Sequence, residues 1–192
     1  MRSVRSALSL VLLMTVLLGI AYPLVITAVS RLVFPAQAAG SLVDQGTTLI
    51  GSKLIGQHFS DPKYFWGRPS ATAPQPYAGE ASGASNLGPL NPALLDQVDA
   101  NLKPLLAAQP QDQATAAVPV DLVTASASGL DPHLSVAGAR FQAARVAAAR
   151  HMSPAAVLAL IDKLQSGPLF GIIGESQVNV LELNMALDRA RE

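Results

Sequence analysis

The chain has 192 residues with thirteen basic and thirteen acidic side chains, so its formal charge is zero and no basic face advertises itself to nucleic acid. It contains no cysteine, which excludes disulfides, cysteine-ligated zinc, iron–sulfur clusters and thiol nucleophiles together. The charges are unevenly placed: Arg2, Arg5 and Arg31 are the only ones before position 32, so the remainder carries ten basic and thirteen acidic residues and is mildly acidic.

Between Arg5 and Arg31 lie 25 uncharged residues, SALSLVLLMTVLLGIAYPLVITAVS. As a helix this run reaches about 37 Å, enough to cross a hydrocarbon core with some tilt. Pro23 is expected to kink it. A cleaved signal peptide is the rival reading, with Ala36-Gln37-Ala38 resembling a cleavage site. The apolar run is longer than a signal peptide's hydrophobic region, and Arg31 stands between it and that site, which favours a retained anchor. Arginines ahead of the span place the N-terminus in the cytoplasm and the rest outside. The expected organisation is a cytoplasmic N-terminus (1–5), a transmembrane helix (6–30) and an extracytoplasmic domain (31–192).

GSLVDQGTTLIG (40–51) reads as a hairpin around a three-residue turn at Asp44-Gln45-Gly46, with Gly46 left-handed. Residues 60–92 carry six prolines and several glycines, a density that forbids helix and breaks strands. This stretch also holds Tyr64, Phe65 and Trp66, three of only nine aromatic residues in the chain, followed by Arg68. Disordered linkers are poor in aromatics, so the stretch reads as a long ordered loop pinned by its own rings. Asn91-Pro92 opens a helix to about Ala107, with Leu94, Leu95, Val98 and Leu102 on one face and Pro104 fraying its end. Residues 109–117 form a polar connection, and VPVDLVTAS (118–126) reads as a strand. Ser135 caps a helix over 136–151 whose apolar face uses Val136, Ala139, Ala143, Val146 and Ala147. Ser153-Pro154 starts another, to about Gln165, stopped by Gly167-Pro168. The last segment begins as a strand, Val178 to Leu181, and finishes as a short helix. The fold class expected is a single N-terminal transmembrane helix plus one mixed α/β (α+β) exported domain with a long ordered loop.

Candidate chemistry is sparse. His58, His133 and His151 lack metal-pair spacing and read as turn and capping residues. TASASGLDPH (124–133) gathers serines, an aspartate and a histidine, so a membrane-anchored exported hydrolase of the Ser–His–Asp type is the alternative function, although no G-x-S-x-G elbow occurs. Neither nucleotide-binding glycine motif is present, and SGASNLG (82–88) has the small residues of an anion nest without a lysine. Phe141, Gln142 and Arg145 share a helix face. The Gln142 amide suits an adenine edge or a partner's backbone, while the spacing itself reads as a solvated face.

Taken in order, GSKLIGQHF, YFWGRPSA, SGASNLGPLNPAL, VPVDLVTASASGLDPH, FQAARVAAAR and VNVLELNMALD, after one span, resemble the C subunit of the Kdp-type potassium-transporting ATPase, the KdpC family. The resemblance runs over nearly the whole chain. It implies a non-catalytic accessory subunit in a bacterial inner-membrane complex for high-affinity potassium uptake. The partners it implies are a channel-like potassium-translocating subunit and a P-type ATPase subunit that hydrolyses ATP through an aspartyl-phosphate. It further implies a role in assembly and as a catalytic chaperone raising the ATP affinity of the hydrolysing subunit. The matching glutamine, Gln142, carries the family's proposed nucleotide role. ATP is then the implied cofactor, bound with or via the catalytic subunit, with no metal and no disulfide. The orientation read from the arginines strains against direct ATP contact by an exported domain, and a route through subunit contacts is the expectation.

Overall fold

The protein is described by a computed structural model covering residues 2–110 and 117–190. Most of the polar connection expected over 109–117 lies outside those residues. The chain divides into two compact units, Met1–Ser52 and Lys53–Glu192.

The first unit is dominated by a 32-residue helix, Arg2–Val33, long and apolar enough to cross a bilayer. It consists of α1 (Arg2–Val16), one π-helical turn (Leu17–Ala21) and α2 (Tyr22–Val33). The wide turn sits just ahead of Pro23, which has no N–H for the preceding ladder; the Tyr22 N–H instead reaches back to the Leu17 carbonyl. None of the helix's side chains is buried within the chain. A short helix α3 (Pro35–Ala38) follows, then an antiparallel hairpin of β1 (Leu42–Gln45) and β2 (Thr48–Ser52). The hairpin stands where expected, but its turn is one residue shorter. Gln45 pairs with Thr48, so Gly46-Thr47 makes a two-residue connection with Gly46 left-handed at φ 65°. Two-residue loops match the strand twist better, and Gln45 is consumed by pairing.

The second unit mixes helices with a small sheet. Its elements are α4 (Pro92–Ala107), β3 (His133–Ser135), α5 (Val136–Arg150), α6 (Pro154–Leu164), β4 (Gln165–Ser166), β5 (Gln177–Asn179) and α7 (Val180–Arg189). The sheet is antiparallel in the order β3-β5-β4. Four helices begin at side-chain caps: Asn91 accepts from the Ala93 N–H, Ser135 from Gly138, Ser153 from Ala156 and Asn179 from Glu182. The Asn179 cap ends β5 before the expected Leu181. Pro104 sits inside α4 without ending it, and that helix buries Leu105 while Leu95 stays exposed.

Residues 118–126 are not a strand. A 3-10 turn spans Val120–Leu122, with the Leu122 N–H bonded to the Pro119 carbonyl, and Asp121 Oδ2 accepts the Ser135 N–H at 2.7 Å. Pro119 cannot donate to a ladder, and the β-branched residues reach the core from a turn, where Leu122 and Val123 are buried. The third strand is the three-residue segment ending at the Ser135 cap, which sequence reading took for a turn.

The core gathers Leu105, Leu122, Leu134, Ala139, Ala143, Val146, Val157, Ile161, Val178, Leu183 and Leu187. Phe65, from the long irregular segment, belongs to the same cluster and is fully buried. The segment 60–92 is therefore ordered through its own aromatic residue. Gly129 holds its far edge: the residue is left-handed at φ 68°, and a Cβ there would stand 2.6 Å from Thr72 Cγ2 and 2.9 Å from the Gly83 carbonyl oxygen. Gly129→Ala is expected to destabilise the second unit by about 2–5 kcal/mol, combining left-handed strain with overpacking. The readout is a fall in Tm of the detergent-solubilised chain; an unchanged Tm would mean the loop yields at this point.

Candidate functional site

The chemistry-bearing side chains converge on residues 61–68. Burying Phe65 draws the surrounding backbone into the protein, and its polar groups must then be paired. Asn184 of α7 does this for Phe65: its Oδ1 accepts the Phe65 N–H at 2.8 Å and its Nδ2 donates to the Phe65 carbonyl at 3.0 Å. Gln142 of α5 repeats the arrangement one residue on, with Oε1 accepting from Trp66 N at 2.9 Å and Nε2 donating to Trp66 O at 3.0 Å. Two carboxamides thus imitate the pairing of a neighbouring strand.

Two arginines of α5 complete the frame. Arg145 donates through Nη1 to the carbonyls of Pro62 and Tyr64, the latter at 3.1 Å, and through Nη2 to Gln142 Oε1 at 2.6 Å. Its guanidinium also lies 4.2 Å from the Trp66 ring centroid, a cation–π stack in a desolvated setting. Burial pulls the Arg145 pKa down to about 10, against the attraction of Asp61, so the group stays charged at neutral pH. Arg150 gives Nε to the Lys63 carbonyl at 2.7 Å and Nη2 to Asp188 Oδ1 at 2.7 Å. Asp188 in turn accepts the Tyr64 hydroxyl at 3.1 Å, and the Arg150 guanidinium packs 4.9 Å from the Tyr64 ring centroid. The N–H groups of Lys63 and Tyr64 go to the Asp61 side chain and carbonyl.

Gln142 is therefore fully buried, and Arg145 and Arg150 are nearly so. For Gln142 and Arg145 this corrects the solvated helix face expected from their spacing. The backbone partner that the glutamine amide suits is the chain's own Trp66. Sequence reading missed Asn184 and Asp188. The available signal was an asparagine inside the apolar stripe Val180, Leu183, Leu187 of α7, where a polar residue needs a buried partner.

Arg68 bonds elsewhere, through Nη1 to Asp131 Oδ2 and through Nη2 to the Ala125 carbonyl, both at 3.3 Å. Burial pushes the Asp131 carboxyl up, but hydrogen bonds from His133 and the Arg68 charge outweigh it and leave the pKa below the ordinary value. Tyr77 donates its hydroxyl to the Arg68 carbonyl, and burial with Asp131 nearby raises its pKa to about 12, so it remains a donor at neutral pH. A groove of about 430 Å³ runs beside these groups, lined by Phe59, Trp66, Arg68, Tyr77, Asn101 and Leu105 among others, with Gln142 behind it rather than on its wall.

The hydrolase alternative finds no support. In TASASGLDPH the Ser126 and Ser128 hydroxyls accept turn N–H groups from Gly129 and Leu130, and Asp131 is held by Arg68. His133 Nδ1 lies 3.6 Å from Asp131 Oδ1, His151 is the left-handed cap of α5, and His58 is exposed. Among the described residues no group of three or more histidines and acids could hold a metal ion. In SGASNLG the Gly83 N–H is spent on the Ser128 carbonyl.

Gln142→Ala removes both hydrogen bonds to Trp66 and one partner of Arg145, and is expected to cost about 2–4 kcal/mol. Because Trp66 is the only tryptophan, its emission should shift to the red and become more accessible to iodide. Gln142→Glu keeps the acceptor for Trp66 N–H and Arg145 but sets an oxygen where the donor to the Trp66 carbonyl stood, so its emission should shift as well. An unaltered spectrum in the alanine variant would refute the pinning role.

Comparisons with known proteins agree on one family. The family model described as "K+-transporting ATPase, c chain" matches residues 4–189. The potassium-transporting ATPase KdpC subunit of Variovorax paradoxus is 60% identical over 185 residues, covering 96% of this chain and 95% of the relative. Those of Methylibium petroleiphilum and Sorangium cellulosum are 58% and 57% identical, each over 187 residues and 97% of both chains. An apolar N-terminal helix, a mixed α+β unit and an internally pinned aromatic loop thus accompany a match along nearly the whole sequence, and the chain belongs to the KdpC family of potassium-transporting ATPase subunits.

Proposed function

We propose that this chain is a non-catalytic accessory subunit of an ATP-driven potassium uptake complex, anchored in the bacterial inner membrane by residues 6–30. Residues 1–5 lie in the cytoplasm and 31–192 outside it, the orientation favoured by Arg2 and Arg5 ahead of the span. It assembles with a P-type ATP-hydrolysing subunit and a channel-like potassium-translocating subunit, and no nucleic acid is involved.

Its effect on ATP is exerted through those contacts. A subunit that binds better to the pump conformation with high ATP affinity raises that affinity by linkage, and tenfold corresponds to about 1.4 kcal/mol of coupling. ATP is held by the hydrolysing subunit, and the nucleotide role attached to Gln142 is indirect. The observation that carries this reading is the Gln142 side chain itself, which has no exposed surface and whose amide oxygen and nitrogen are both engaged by Trp66. A direct contact with adenine would require the loop to leave. On the indirect reading Gln142 sets the position of Trp66 and the neighbouring loop, the surface that the outer domain presents to its partners.

The test compares the complex assembled with the wild-type chain and with Gln142→Ala. The variant should raise the apparent KM for ATP severalfold in potassium-dependent hydrolysis, while the isolated full-length chain binds no ATP saturably. Tight ATP binding by the isolated chain, abolished by Gln142→Ala, would contradict the indirect route.

A further inference from the structure

The groove of about 430 Å³ has two unlike walls. One is the aromatic loop, with Trp66 and Tyr77, fixed by the buried hydrogen bonds of α5 and α7. The other is α4, which contributes Asn101, Pro104 and Leu105. Leu122 lines the groove between them and belongs to the core.

The α4 wall is held at one end. Leu105 and Gln109 are buried, but no side chain from Ala84 to Lys103 is. Val98 and Leu102 rest half-buried on the core, and Leu90 and Leu95 are exposed. Upstream, the last hydrogen bonds to the body are those of Ser82 Oγ and Gly83 N–H to the Ser128 carbonyl. Beyond them, from Ala84 to Ala107, one hydrogen bond reaches the rest of the unit among the described residues: Asn101 Nδ2 donates to the Val123 carbonyl at 3.0 Å. No ion pair or ring contact joins that stretch to the body among the same residues. Sparse buried contact and few tethers are the marks of a segment that opens below the cost of global unfolding.

We propose that residues 84–103 form a lid on the groove, hinged at Pro104 and latched by the Asn101 amide, which opens while the rest of the second unit stays folded. The hinge follows from the proline, which brings no N–H to the Ala100 carbonyl and so weakens the helix between its free and its anchored parts. The helix carries its own start, with Pro92 in the first turn and Asn91 Oδ1 accepting the Ala93 N–H, so it needs no outside partner at the free end. The latch lands on Val123, next to Leu122, so its release uncovers both buried residues and widens the groove. The lid belongs to this chain alone and does not depend on how ATP affinity is altered.

Two measurements on the detergent-solubilised full-length chain test it. In native-state hydrogen exchange of the unaltered protein, the amides of Gln97 to Lys103 should exchange at least tenfold faster than those of Ala143 to Ala147 in α5, with a weaker dependence on urea. The absence of cysteine also allows single thiol reporters. Val123→Cys should react with a thiol reagent through the same urea-insensitive opening, and Val146→Cys in α5 only through global unfolding. Adding Asn101→Ala should speed labelling at position 123 severalfold and leave position 146 unchanged. Equal exchange in α4 and α5 overturns the proposal. Fast α4 amides with position 123 as protected as position 146 also overturn it, in favour of a fraying helix over a closed core. A latch variant that speeds both positions alike, or neither, overturns it too.

Discussion

The second unit depends on one constraint: a loop whose aromatic residue fills the core must have every polar group of its backbone paired. From Pro62 to Trp66 this condition is met in full. The five carbonyls go to Arg145, Arg150, Arg145, Asn184 and Gln142 in turn, and the four available N–H groups go to Asp61, Asp61, Asn184 and Gln142. No strand supplies these partners. Side chains from two helices do, and a buried backbone that loses such a partner loses more than the mean value of one hydrogen bond.

This explains why α5 is buried on two sides. Ala139, Ala143, Val146 and Ala147 join the hydrophobic core, and their small size admits the close approach of α6. Gln142, Arg145 and Arg150 form the other side, with long side chains spanning to the loop. The two arginines would be expensive alone. Stacking on Trp66 and Tyr64, five hydrogen bonds between them to carbonyl, amide and carboxylate oxygens, and the Asp188 charge offset that cost. The aromatic cluster therefore serves as the loop's attachment, while its outer face borders the groove along Trp66 and Tyr77.

Local chemistry made much of this legible in the sequence. The caps at Asn91, Ser135 and Ser153 and the apolar span were readable because each depends on neighbouring residues alone. The irregular loop was readable from its prolines, and its order from its aromatics. The failures were non-local. Residues 118–126 have strand composition, but Pro119 and the Asp121 bond to Ser135 make them a turn. The strand His133–Ser135 is too short to leave a periodic signal. Gln142 and Arg145 looked solvated because what buries them, Trp66 and Pro62, lies 76 and 83 residues away. The resemblance drew attention to Gln142 without revealing what it touches.

Hydrogen–deuterium exchange at the Phe65 and Trp66 amides of the full-length protein tests the central claim most directly. If the two carboxamides hold this loop, both amides exchange only as slowly as core amides of α5, although neither belongs to a helix or strand. Exchange at the rate of an open loop would mean the backbone is not held, and the account of Gln142 as a positioning residue would fall with it.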